Sequence, residues 1–138
     1  MTTNNLGGHL IHMDDILWVD LEHGSSILGS KDVAIDLLVI FTKKLTQEID
    51  IIRKHRQDKQ WRKFYEAIHK LHGAACYSST PKIKHTLQTI EHICRKPVIQ
   101  EETAPCHSDV NKIDHALKQL DVDAQQTKKY ALKLVSSE

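Results

Sequence analysis

Apolar residues recur every three or four positions through most of the chain, which is the spacing of amphipathic helices. The longest series predicts a helix that ends near Arg56, with an apolar stripe of Ala34, Leu38, Phe41, Leu45, Ile49 and Ile52. Ser30 is a candidate N-cap for it, and Asp32 lies in its first turn, where the helix dipole favours negative charge. Residues 14–27 predict a shorter helical segment, or two, that Gly29 ends.

Three further helices follow. The first is predicted over residues 59–77, and the second begins at Ser79-Thr80 with proline at its first helical position and stops at Pro97. Residues 97–107 contain two prolines and predict a loop, after which Ser108 begins the last helix. The three apolar stripes are Trp61, Phe64, Ile68, Leu71 and Ala75; Ile83, Leu87, Ile90 and Cys94; and Val110, Ile113, Leu117, Leu120, Ala124, Ala131 and Leu134.

These elements predict the fold class. Four long amphipathic helices with short connections indicate an all-α, up-down four-helix bundle, preceded here by a short N-terminal helical segment. Residues 1–13 have no apolar periodicity and are interpreted as a flexible leader, which leaves residues 14–138 as a single domain.

Composition narrows the class of protein without pointing to a ligand. The 138 residues carry 19 basic and 18 acidic side chains, so no global charge favours nucleic acid or a membrane surface. No apolar run reaches about 18 residues, and no signal-peptide pattern opens the chain. The three cysteines form no CxxC pair, which favours a reducing cytoplasm over a disulfide scaffold.

The candidate chemistry lies on the third helix, opposite its apolar stripe. That face carries Arg62, Glu66, His69, His72, Gly73 and Cys76. A neutral imidazole offers a nucleophilic Nε2 toward phosphorus, although a lone surface histidine is usually only a surface residue. Gly73 lies one turn beyond His69, where glycine costs roughly 1 kcal/mol relative to alanine. Bare backbone there would let a partner approach the imidazole, or it reflects tight packing against a neighbouring helix.

Residues 67–75, with the sequence AIHKLHGAA, resemble the signature of histidine-containing phosphotransfer (HPt) domains. Residues 77–81 and 87–91 match the turn and the second helix of that family. The likeness spans roughly residues 19–135 and is greatest to the C-terminal HPt domains of BarA-type hybrid sensor kinases, which share a histidine at position 72 where most members have lysine.

The resemblance implies a role for each matching residue. His69 would be the phosphoacceptor, and Glu91 would hydrogen-bond its imidazole, fixing the tautomer so that Nε2 is free. His72 would lie near the phosphoryl oxygens and assist only when protonated. Gly73 would leave the backbone open to a docking partner. Lys70 points sideways from His69 and is either solvated or steers an acidic receiver domain.

The same resemblance implies the partners. Phosphate would pass from the aspartyl phosphate of a hybrid kinase's receiver domain to His69, and then to a response regulator. The chain has no Walker A motif and no glycine-rich nucleotide lid, so it is expected to be a phosphoryl carrier without a kinase catalytic domain. Mg²⁺ would belong to the receiver, with no cofactor or metal in this chain. A cytoplasmic monomer is expected, either free-standing or as the tail of an inner-membrane kinase, with no nucleic acid bound and no direct membrane contact.

Three other interpretations stay open. A metal- or haem-binding bundle would use ligands drawn from His69, His72, His92, Cys94, Cys106 and His107, although the paired spacing of zinc sites is missing. An HPt-like docking module would bind receivers without carrying phosphate. A hydrolase would need Cys76 as its nucleophile, with an oriented base that the sequence does not indicate.

Overall fold

The structure is a computed structural model that describes residues 3–6, 9–12 and 17–136, with side chains described from residue 17 to residue 134. Its helices are α1 (Leu21–Leu28), α2 (Lys31–Gln57), α3 (Trp61–Ala75), α4 (Pro81–Cys94) and α5 (His107–Ser136), with a π-helical segment, Arg95–Gln100, continuing α4. Two antiparallel strands, β1 (Thr3–Leu6) and β2 (His9–His12), pair Thr3 with His12 and Leu6 with His9.

The predicted fold class is confirmed: α2, α3, α4 and α5 form a four-helix bundle, with α1 as the short N-terminal helix. Helix α2 packs on α3 and α5, α4 packs on the same two helices, and α1 packs on α2. The connections between α2 and α3 and between α3 and α4 are three and five residues long, which keeps successive helices antiparallel neighbours. Among the described residues, no helix is both long and apolar enough to cross a membrane.

The predicted apolar stripes form the core. All six stripe residues of α2 and all four of α4 are buried, together with Phe64, Ile68, Leu71 and Ala75 of α3. In α5, Ile113, Leu117, Leu120, Ala124 and Ala131 are buried, whereas Val110 and Leu134 are only partly buried. The largest cluster joins side chains from α2, α3, α4 and α5, so the helix that carries His69 is anchored from several sides.

The predicted start of the first helix needs correction. Of the helix predicted over residues 14–27, residues 14–16 lie outside the described residues, and α1 begins only at Leu21 because Asp20 is its N-cap and accepts from the His23 N–H at 3.0 Å. Two strands lie inside the segment interpreted as a flexible leader, and the domain boundary at residue 14 stays a prediction.

Pro97 does not end the fourth helix, contrary to the sequence prediction. Proline lacks the N–H that would continue the α-helical ladder, and the chain accommodates it by widening into the π-helical segment. Within this segment Val98 is buried against the core, and the Glu101 N–H donates to the Lys96 carbonyl at 2.9 Å. The predicted loop therefore shortens to residues 101–106, and the helical surface beyond Glu91 extends by one turn.

Helix α1 is held against the turn between α3 and α4. The backbone N–H of Asp20 donates to the Ser79 carbonyl at 2.9 Å. At Gly24, an added Cβ would lie 1.9 Å from the Ser79 hydroxyl oxygen, so a larger residue here would require that hydroxyl to rotate away. The pattern of apolar residues carried no sign of this contact.

A buried polar network joins α4 to α5. Asp123 is 1% exposed and accepts from the Thr86 hydroxyl at 2.5 Å and from the Gln119 side-chain amide at 2.9 Å. Burial raises the pKa of Asp123 above its ordinary value, although the hydrogen bonds from Thr86 and Gln119 oppose the shift. Its position on the apolar face of α5 was missed from the sequence, since aspartate is seldom fully buried.

The raised pKa of Asp123 predicts how the stability of the protein depends on pH. Because the native state holds the Asp123 proton more tightly than the unfolded chain does, stability falls as the pH rises above the unfolded value near 3.8 towards the native pKa. Asp123→Asn should remove this decline and leave the protein at least as stable as the wild type at pH 7. Urea unfolding at pH 4 and pH 7 measures the free energy of unfolding, and Asp50→Asn, at an exposed position, is the control. A variant less stable than the wild type by the same amount at both pH values would contradict the prediction.

Candidate phosphoacceptor site

His69 lies in the middle of α3 with its side chain 66% exposed. Its neighbours Ile68 and Leu71 are buried, so the helix turns its apolar stripe inward and presents the imidazole outward. The ring of Tyr65, one turn earlier, lies parallel to it at 7°, with the ring centroids 6.1 Å apart. The imidazole is thus reachable from solvent while its backbone belongs to a packed helix.

Glu91 on α4 holds the inner nitrogen of this ring. Its side chain is 4% exposed, and its Oε1 lies 2.5 Å from Nδ1 of His69. A carboxylate accepts hydrogen bonds, so the proton of the neutral imidazole lies on Nδ1. Nε2 then carries the free lone pair. The sequence prediction that Glu91 lies within reach of His69 is confirmed by this distance.

Electrostatics keep Glu91 ionised. Burial raises its pKa, but the hydrogen bond from His69 and the electrostatic interactions with His69 and His72 lower it, and the net pKa is below the ordinary value. Arg95, one turn along from Glu91, places Nη2 3.6 Å from the same Oε1 that faces His69. Arg95 was not among the site residues predicted from the sequence, although its position four residues after Glu91 would bring the pair together on a continuing helix.

His72 lies against Glu91, and its place near the phosphoryl oxygens stays a prediction. Its side chain is 19% exposed, and its Nδ1 lies 2.7 Å from Oε2 of Glu91. Nε2 is buried and has no hydrogen-bond partner. Neither nitrogen therefore faces the space in front of His69, where the oxygens of a phosphoryl group would lie. The ring is turned inward because position 72 lies at the edge of the face of α3 that meets α4.

Gly73 and Lys70 flank His69 on open surface. A Cβ added to Gly73 would meet no atom within 4 Å, so tight helix packing does not explain this glycine. Lys70 is exposed and lines a groove between α2 and α3, together with Leu37, Ile40, Phe41, Lys44 and Tyr77. Access for a partner, the other explanation for Gly73, stays a prediction.

Among the described residues, those of the rival interpretations form neither a metal site nor a nucleophile paired with a base. Among the residues that the structure describes, no group of three or more histidine, cysteine, aspartate or glutamate side chains is arranged to hold a metal ion. Cys94 is buried, which raises the pKa of its thiol to about 12, and Cys106 is exposed on the loop before α5. Cys76 is partly buried at the end of α3, and none of the hydrogen bonds described for the site joins it to a base.

Comparison with known proteins supports this geometry. The family model described as the Hpt domain matches residues 36–123, a span that includes His69 and Glu91. The chain belongs to the Hpt domain family. The HPt domain of a hybrid histidine kinase from Shewanella has the same fold, with a TM-score of 0.71 and 18% identity over 90% of this chain and 98% of that one. Hpt domains are phosphotransfer modules that work with receiver domains and response regulators in two-component systems.

Two sensor kinases are similar in sequence to this Hpt domain. The sensor protein GacS of Pseudomonas syringae is 27% identical over 116 residues, which are 83% of this chain and 12% of that protein. The sensor histidine kinase GacS of Pseudomonas protegens is 26% identical over 97 residues, 70% of this chain and 10% of the other. The chain therefore spans about a tenth of the length of these relatives and resembles one module of a hybrid sensor kinase.

Proposed function

We propose that His69 accepts a phosphoryl group from the aspartyl phosphate of a receiver domain and passes it to an aspartate of a response regulator. The observation that carries the proposal is the exposed imidazole whose Nδ1 lies 2.5 Å from the buried Glu91 carboxylate. It combines the two requirements of a relay: an accessible nucleophile and a fixed tautomer. The donor and acceptor would be a hybrid kinase's receiver and a separate response regulator.

The reaction follows from this arrangement. Nε2 of His69 attacks phosphorus, a P–N bond forms, and the bond between phosphorus and the receiver's aspartyl oxygen breaks, releasing that aspartate as a carboxylate. The imidazole becomes positively charged as its lone pair is used, and the ionised Glu91 beside Nδ1 stabilises that charge. The reverse sequence delivers the group to the next aspartate. Transfer depends mainly on positioning and electrostatics, and we assign Mg²⁺ to the receiver.

Docking would take place around Gly73. The open backbone beside His69 permits a receiver to approach the ring, and Lys70 and Lys44 at the groove between α2 and α3 supply positive charge towards an acidic partner. We infer a monomer that works in the cytoplasm as a module of a longer sensor kinase or as a separate carrier.

The direct test is a transfer assay. Receiver domains from the same organism are phosphorylated with a labelled donor in the presence of Mg²⁺ and mixed with the protein, and the label on the protein is followed over time. We expect label that is lost in acid and retained in base, which is the behaviour of a phosphoramidate. An acid-stable label, or none from any receiver, would contradict the proposal. Receiver binding without label would instead favour the docking-only module.

Substitutions at Gly73 provide a second prediction: an alanine should change the stability of the protein, and a leucine should change the rate of phosphoryl transfer. Gly73→Ala should stabilise the protein by up to about 1 kcal/mol, because alanine is the better helix former and its methyl group meets nothing. Gly73→Leu should slow transfer by about 100-fold, because a shift of about 1 Å in the approach of the reacting groups has an effect of that size. Thermal melts and initial transfer rates measure the two effects, with the exposed Lys129→Leu on α5 as the control. Wild-type transfer by Gly73→Leu would refute docking at this position.

A further inference from the structure

The Glu91 carboxylate faces two imidazoles at once. Oε1 lies 2.5 Å from Nδ1 of His69, and Oε2 lies 2.7 Å from Nδ1 of His72. Because the side chain is 4% exposed, water contributes little to satisfying these oxygens. Oε1 is hydrogen-bonded to His69, whereas Oε2 is buried with no hydrogen-bond partner among the described residues and has the His72 imidazole as its close polar contact.

The two oxygens do not have the same set of partners. Oε1 is approached by His69 and, at 3.6 Å, by the guanidinium of Arg95. Oε2 is approached only by His72 among the contacts of the described residues. Arg95 is 54% exposed and hydrated, so it orients the carboxylate less than a buried donor does. Apart from the hydrogen bond with His69 itself, the rotation of the Glu91 carboxylate about its last bond therefore depends mainly on the contact with His72.

For a neutral His72 ring, the surroundings favour the tautomer with the proton on Nδ1. Nε2 is enclosed without a hydrogen-bond partner. A proton on that atom would bury a donor with nothing to accept it, which is costlier than burying an unpaired lone pair on a neutral ring. With the proton on Nδ1, the ring carries it on the side that faces Glu91, where Nδ1 and Oε2 lie 2.7 Å apart.

We infer that His72 is a positioning residue: it holds Oε2 of Glu91 so that Oε1 meets Nδ1 of His69. This differs from the basic side chain beside the phosphoryl oxygens that the resemblance implies for position 72. The consequence for transfer rests on the proposed function of His69, whereas the positioning of Glu91 by the contact with His72 does not. The chain thus forms a three-residue series in which an inner imidazole sets the tautomer of the outer one.

The experiment compares three substitutions. His72→Ala removes the donor, His72→Asn keeps an uncharged donor close to the position of Nδ1, and His72→Lys restores the charged side chain usual in the family. Nitrogen-15 NMR of the imidazole rings reports the tautomer of His69 without any phosphoryl transfer, so it remains informative if His69 accepts no phosphate. Circular dichroism establishes that each variant is folded.

We expect His72→Ala to convert His69 from the single tautomer with the proton on Nδ1 to a mixture and to slow transfer by about tenfold, the effect of losing one polar contact with a charged group. His72→Asn should retain the tautomer and transfer within about threefold of the wild type, which a phosphoryl-contact role would not allow. A single unchanged tautomer in His72→Ala would overturn the inference, as would His72→Asn being as slow as His72→Ala while His72→Lys is fast. If His72→Ala does not fold, the tautomer of His69 in His72→Asn is decisive. A single tautomer with the proton on Nδ1 supports the inference, and a mixture of tautomers refutes it.

Discussion

His69→Gln should end acceptance of the phosphoryl group, with a fall in rate of more than about a thousandfold, because removing the nucleophile removes the covalent intermediate itself. Glutamine is a suitable replacement because its side-chain amide can still donate to Oε1 of Glu91, so the buried carboxylate keeps a partner. His69 is 66% exposed, and we expect the stability of the variant to stay within about 0.5 kcal/mol of the wild type. The measurement is the amount of acid-labile label after incubation with a phosphorylated receiver.

The matched control is His92→Gln on α4. His92 is exposed like His69, but it is not among the residues in contact with Glu91. This variant should accept label at the wild-type rate. Label that persists on His69→Gln would mean that one of the other nine histidines is the acceptor, and the assignment to His69 would then be wrong.

Phe64→Ala should lower the free energy of unfolding by about 3–5 kcal/mol, the usual effect of truncating a buried aromatic side chain. Phe64 is 0% exposed, lies in the cluster shared by α2, α3, α4 and α5, and packs edge-on against Trp61 with the centroids 5.5 Å apart. Its removal leaves a cavity beneath the first half of α3, the helix that carries His69. Urea unfolding at 25 °C measures the effect.

The adjacent Lys63→Ala is the control for this substitution. Lys63 is exposed on the same turn of α3, so its truncation removes no core contact and should change stability by less than about 0.5 kcal/mol. A loss of less than about 1 kcal/mol for Phe64→Ala would show that this end of the bundle is not tightly packed. Phosphoryl transfer by the molecules that remain folded should be little affected, because Phe64 does not contact the imidazole.

The positions of the helices could be predicted from the sequence because periodicity and caps are local properties. The stripe of α2 and the cap at Ser30 appear in the structure, where the Ser30 hydroxyl accepts from the Val33 N–H at 3.4 Å. The Pro97 boundary was wrong because proline forbids one hydrogen bond but not a wider helical turn around it. Asp123 was missed because a single polar residue within an apolar stripe gives no indication of a buried partner such as Thr86.

The sequence alone determined the helical bundle, the exposed face of α3 and, through the resemblance, His69 with Glu91 as its partner. Only the tertiary structure decided that Gly73 is open and that His72 turns inward to share Glu91 with His69. The physical reason is that the spacing of residues along one helix states which side chains share a face. It does not state how far that helix is rotated against its neighbour. The rotation of α3 against α4, set by core packing, determines which side chains meet at the buried carboxylate.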